Sequence, residues 1–174
     1  MGQGGLYSIF DGLNMLTDAG LPPATSKQTG VSNAGLQLRD ISSNFGELQW
    51  IRNEKVKVEF MDIENITEEK IDEIIQRFLT DFKGNKLSEN GWPLTFTAYK
   101  ISKAAVNGYT RLLARKFHNI LFNSVHPGYV ITDIASHTGF LTAEEGAKAP
   151  VMVALLPDDG LSGVYFYQMQ VASF

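Results

Sequence analysis

Cysteine is absent from all 174 residues, so neither a disulfide framework nor a thiolate nucleophile is available, and the absence accords with a reducing compartment. No stretch approaches the run of about 18 apolar residues that a membrane-spanning helix needs. Asp11, Asn14 and Asp18 interrupt the first twenty residues, which therefore lack the basic-then-apolar layout of a secretory signal. Leu6 stands where a myristoylation pattern wants Ser or Thr. A cytoplasmic location is the expectation. Excess basic charge is missing too: 15 Lys and Arg face 19 Asp and Glu, a net charge of −4, which gives no field to gather nucleic acid or an anionic membrane. The three histidines, His118, His126 and His137, show no ligand spacing and have no thiol partners, so no metal site is expected. No internal repeat is present.

What remains is an ordinary soluble composition, 44% hydrophobic and 20% charged, enough for one domain with a real core. Residues 1–35 are rich in Gly, Ser, Thr, Asn and Pro. They read as an irregular segment with a short helix over Tyr7–Leu21 and loop from Ser26 to Gly35. Leu36–Ser43 reads as a short strand. In the acidic stretch that follows, Ile71, Ile74, Ile75, Phe78, Leu79 and Phe82 share one helical face. Thr67 is placed to cap that helix, and Glu68 and Glu69 suit its positive end, so a helix over 68–83 is predicted.

A longer helix, dense in small residues, is predicted over Phe96–Phe117. Ile120–Val125 reads as a buried strand ended by Pro127-Gly128. Thr142 and Glu145 form a capping box for a third helix to about Leu156, with Pro150 expected to kink it or limit its early turns. Gly163–Tyr167 reads as a last strand. Strands alternating with helices in this way predict an α/β protein with a parallel sheet.

The chemistry centres on Tyr99-Lys100-Ile101-Ser102-Lys103. Four residues apart on a helix, Tyr99 and Lys103 stand on one face, one turn from each other. A phenol with a pKa of about 10 trades protons slowly near neutrality, and a neighbouring ammonium favours its ionised form. Such a pair suits general acid catalysis on a carbonyl or general base catalysis on an alcohol. Taken alone, the spacing reads more readily as a surface tyrosine packed on a lysine stem.

Three stretches in order resolve that ambiguity by resemblance. Residues 98–107, AYKISKAAVN, closely resemble the active-site helix of the short-chain dehydrogenase/reductase family. Residues 41–46, ISSNFG, look like the strand end that carries the family's serine, which by this match is Ser43. Residues 123–133, NSVHPGYVITD, resemble the strand and Pro-Gly turn that flank the nicotinamide. The long separation of Ser43 from Tyr99, an insertion at about 47–93 ending in ENGWP, is similar to the family's plant carbonyl-reductase-like branch. So is the stretch from Leu155-Leu156-Pro157-Asp158-Asp159-Gly160 through Gly163 and Phe166.

The resemblance implies an α/β fold for residues 36–174: the C-terminal, catalytic part of a doubly wound, parallel-sheet, Rossmann-like domain. It implies NADPH-dependent reduction of a ketone or other small carbonyl compound. Ser43, Tyr99 and Lys103 would be the catalytic residues. Tyr99, Lys103, Pro127, Gly128, Val130 and Thr132 would contact the cofactor, and Ile134–Leu141 with the insertion would line the substrate pocket. An insertion helix laid over the outside of the active-site helix would cover the surface that shorter relatives use to pair, so a monomer is expected.

The family's first strand and Gly-rich turn, which bring a helix N-terminus to the pyrophosphate, find no match here. Gly2-Gln3-Gly4-Gly5 has the wrong spacing and no preceding strand, and no apolar strand leads into Asn33-Ala34-Gly35. Residues 12–22 faintly resemble the helix before the serine strand, which would put the family's catalytic asparagine near Ser8 or Ile9, where none exists. The expectation is therefore a sequence truncated at its N-terminus. The rival reading is an inactive remnant that binds no cofactor.

Overall fold

Leu36–Ile41 forms strand β1 and Ile120–His126 strand β2, paired in parallel from Leu36 opposite Ile120 to Ile41 opposite Val125. The computed structural model describes residues 36–174. The expectations for Tyr7–Leu21, Ser26–Gly35 and the position of the family's asparagine lie outside the described residues. Strand β3, Val164–Tyr167, pairs in parallel with β2, and β4, Gln170–Ala172, folds back antiparallel on β3. The sheet order is β1-β2-β3-β4. Among the described residues, β1 is paired on one side only.

Four helices complete the chain: α1 (Glu54–Met61), α2 (Glu68–Lys83), α3 (Thr97–Lys116) and α4 (Ala143–Ala154). Because side chains alternate across a strand, β2 feeds both faces. Phe122 packs with Leu113 of α3, whereas Val125 packs with Ala149 and Val153 of α4. Helices on both sides of a parallel sheet make this a Rossmann-like α/β fold. All seven residues of β2 are buried. Its polar Asn123 is satisfied, donating to the Leu161 carbonyl at 2.8 Å and accepting from the Val164 amide at 3.0 Å.

The insertion packs on the outer face of α3. Ile71, Ile74, Ile75 and Phe78 of α2 share one buried cluster with Ile101, Ala104, Ala105, Tyr109 and Leu112. The Thr67 hydroxyl caps α2 by accepting from the Lys70 amide at 3.2 Å. Both ends of the insertion are clamped together: the Gly91 carbonyl accepts from the Arg52 and Asn53 amides at 2.8 and 3.0 Å. Gly91 turns the chain there with a φ of +70°, which glycine tolerates without strain.

Several sequence expectations need correction. Phe82 lies on the apolar side of α2 by spacing but is 53% exposed. It lies at the last turn of the helix, its ring 6.0 Å from that of Phe78. Strand β1 stops at Ile41, two residues short of the reading, with the Ser42 amide still bonded to Val125 at 2.8 Å. Helix α1 and strand β4 were not expected.

Candidate active site at the carboxyl end of the sheet

The parallel strands β1 and β2 both end at one edge, in Ile41 and His126, and the first turns of α3 lie against it. After Ile41 the chain enters a tight turn over Asn44–Gly46. Its buried cap, Ser43, accepts from the Phe45 amide at 3.2 Å and donates to Asn44 Oδ1 at 3.4 Å. The second bond is long enough to leave the serine proton available to a better acceptor.

Close approach seats this turn on α3. A Cβ on Gly46 would meet the Lys103 carbonyl carbon and oxygen at 2.8 Å, so only glycine lets the two backbones come so near. Asn107, one turn beyond Lys103, donates from Nδ2 to the Gly46 carbonyl at 3.4 Å. The Lys103 ammonium donates to the Ile41 carbonyl at 2.8 Å and stands 5.7 Å from the Tyr99 ring centre. Phe45 meets the Tyr99 ring edge-on at 6.1 Å. Ser43's turn, Tyr99 and Lys103 thus share one cluster at the end of β1. Tyr99 itself is 46% exposed, open to a ligand.

The other residues implied by resemblance form a second group at the same edge. Pro127 and Gly128 follow β2 directly, with Gly128 at a φ of +98°. Val130 pairs with Leu141, and the Ile131 amide reaches the Leu141 carbonyl at 2.8 Å. The Val130 side chain is turned onto Gly146 of α4, where an added Cβ would collide with it. Thr132 Oγ1 donates to the Val130 carbonyl at 3.4 Å. Ile134 and Phe140, on the segment expected to face substrate, are 98% and 85% exposed.

Burial sets the electrostatics. It pushes the Lys103 ammonium below its ordinary range, and nearby Asp40 opposes that push. Burial also lowers His126 to about 4, so this imidazole, 4.9 Å from the Tyr167 ring, is neutral near pH 7.

Five residues at the site were given no role by the sequence reading. Phe45 stacks on Phe96 at 5.3 Å, and Lys100 is buried with its ammonium 4.4 Å from the Trp50 ring. Nothing in the pattern distinguishes these from surface residues. Asn107 carried a signal: it follows Tyr99 and Lys103 at helical spacing, a polar residue on a face of small ones.

The donor set suits the riboside end of a nicotinamide cofactor. An ammonium with two donors to spare and a phenol can meet sugar hydroxyls, and the turn over 127–132 offers backbone and hydroxyl groups beside them. Among the described residues, no strand leads through a Gly-rich turn into a helix to receive a pyrophosphate.

No family model matches the chain. A protein named short-chain dehydrogenase/reductase 1, from Saponaria officinalis, is 47% identical over 135 residues, covering 78% of this chain and 45% of that protein. The solved structure of salutaridine reductase from Papaver somniferum matches with a TM-score of 0.70 and 44% identity, over 75% of this chain and 44% of that one. Menthone neomenthol reductase from Mentha piperita matches with a TM-score of 0.72 and 34% identity, over 95% of this chain and 50% of that one. The chain spans half or less of the length of each of these relatives.

Proposed function

The chain belongs to the short-chain dehydrogenase/reductase family, and from that premise we propose that it reduces a ketone to an alcohol with NADPH, using Tyr99 as the acid. The observation that carries this reading is the seating of the Ser43 turn on α3 through Gly46, beside the Tyr99–Lys103 pair.

Tyr99 gives its phenolic proton to the carbonyl oxygen as that oxygen gains charge. Ser43 turns its hydroxyl from Asn44 to the same oxygen and holds it against Tyr99. Lys103 stands behind the phenol, where a cation stabilises the phenolate left after proton transfer. Its remaining ammonium donors, with Tyr99, would hold the nicotinamide ribose, and Pro127, Gly128, Val130 and Thr132 would bound the ring. The cofactor, when bound, supplies hydride to the carbonyl carbon. Half-exposed Tyr99 regains its proton from solvent. The preference for NADPH over NADH rests on the resemblance, and the names of the relatives point to cyclic ketones as first substrates to try.

The absence of a pyrophosphate turn among the described residues favours one rival, a chain that keeps the catalytic cluster but binds no dinucleotide. Both readings meet one experiment. A Gly-rich first half from a relative is joined ahead of β1, and ketone-dependent NADPH oxidation is measured with and without Tyr99→Phe. Loss of a general acid costs about 10²–10⁴-fold in rate, read at saturating NADPH. Equal turnover in both forms would overturn the assignment of Tyr99, and no turnover in either would favour the inactive remnant.

A further inference from the structure

Asp40 is a half-buried carboxylate one residue before the end of β1, and the mechanism above leaves it without a role. Side chains alternate along a strand, so Asp40 and Arg39 point to opposite faces. Arg39 turns to α4 and donates to the Val153 carbonyl. Asp40 turns to α3, where the single hydroxyl proton of Thr110 is shared between its Oδ2 at 3.0 Å and the Val106 carbonyl at 2.9 Å. That neutral bond anchors the carboxylate but brings no charge. The next residue, Ile41, holds the Lys103 ammonium on its carbonyl at 2.8 Å.

The other ionisable groups around Lys103 do not balance it. On the same sheet face, β2 contributes His126, neutral above about pH 4, and β3 contributes Tyr167. Within α3, Lys100 is directed to Trp50 and Phe45. Following the turn, Glu47 accepts from the Tyr165 hydroxyl at 3.1 Å. Among the described residues, Asp40 is the carboxylate that supplies negative charge to Lys103 across the β1–α3 interface.

We propose that Asp40, anchored by Thr110, is the positioning residue of Lys103: its carboxylate is the counter-charge that keeps this lysine an ammonium on the Ile41 carbonyl. The proposal rests on the reading of Lys103 as the partner of Tyr99. Burial acts against the charge on both groups, raising Asp40 and lowering Lys103, and each offsets part of that effect for the other.

Competitive acetylation of the full chain across a pH series, read peptide by peptide by mass spectrometry, follows the free-amine fraction of Lys103 without needing turnover. Expected is a labelling midpoint for Lys103 that falls by about one pH unit in Asp40→Asn, a roughly tenfold rise in labelling near neutrality. Asp40→Glu should restore the midpoint, while exposed lysines stay unchanged. An unchanged midpoint in Asp40→Asn, or no rescue by Asp40→Glu, overturns the proposal. Buried Lys100 reports unfolding. If its labelling rises in Asp40→Asn, Asp40→Ser takes that variant's place; a lowered Lys103 midpoint then supports the proposal and an unchanged one overturns it. The Tyr99→Phe comparison fails or succeeds independently of all these outcomes.

Discussion

A methyl group at residue 46 would lie 2.8 Å from the backbone of Lys103, where neither chain segment can yield cheaply. Gly46→Ala should therefore destabilise the fold by about 1–3 kcal/mol, the usual cost of overpacking, measured as a lower urea midpoint. It should also depress turnover in the reconstituted enzyme beyond what stability explains, because the turn that carries Ser43 must move off α3. His126 makes a pH prediction. Burial lowers its folded value to about 4 from an ordinary 6.5, so between those values the unfolded chain binds more protons. The His126 contribution to stability is complete above about pH 6.5 and is lost as pH falls towards 4, with a slope of at most about 1.4 kcal/mol per pH unit. Replacing His126 with Phe should flatten that part of the pH–stability curve; an unchanged slope would count against a buried, neutral imidazole. At this scale Tyr99 and Lys103 were legible because helical spacing puts two residues four apart on one face and the stretch around them, AYKISKAAVN, resembles a family's active-site helix. Gly46 and Asp40 were not, since what each approaches is more than fifty residues away along the chain.

Among the elements, α2 shows how far pattern alone carries. Its face was written in the spacing of Ile71, Ile74, Ile75 and Phe78, and its start in Thr67, and both are found where expected. Ile74→Ala, at a fully buried position, should cost about 2–5 kcal/mol, and Thr67→Ala about 1 kcal/mol through the lost cap. Phe82→Ser should change stability by less than about 0.5 kcal/mol, as exposed substitutions do. Thermal or urea unfolding of the three variants checks the ranking, and a large effect at Phe82 would contradict its exposure. Two elements were illegible for local reasons. In α1 the apolar residues Val56, Val58 and Phe60 alternate as in a strand, although only Val56 and Phe60 are buried. The hairpin into β4 turns through Gln168 at a φ of +53°, without the Gly or Asn that marks such turns in sequence.

For the molecule as a whole, the outer face of α3 is already covered by α2, which leaves that surface unavailable for pairing. Size-exclusion chromatography with light scattering should find a monomer, and a dimer that survives Ile74→Ala would show that pairing uses another face. Cofactor affinity is also a property at this scale. On the proposed reading the described residues would meet the nicotinamide end only, and positioning of a bound reactant can supply about 7–11 kcal/mol of a barrier reduction. NADPH titration of the 174-residue chain, followed by nicotinamide fluorescence, should show very weak binding and no turnover with ketones. Saturation at micromolar cofactor would mean that residues outside the described ones supply the pyrophosphate site.

By itself the sequence determined the alternation of strands and helices, the amphipathic face of α2, the helical pairing of Tyr99 with Lys103 and the likeness to a family, because each is expressed over a few residues or one helical period. Only the tertiary structure decided that the Ser43 turn rests on Lys103 through Gly46, that Lys103 reaches the Ile41 carbonyl, that Asp40 faces Thr110 and that Val130 turns onto Gly146. Those contacts join segments distant in sequence, and their geometry follows from how α3 and α4 lie against opposite faces of the sheet, which no local pattern encodes.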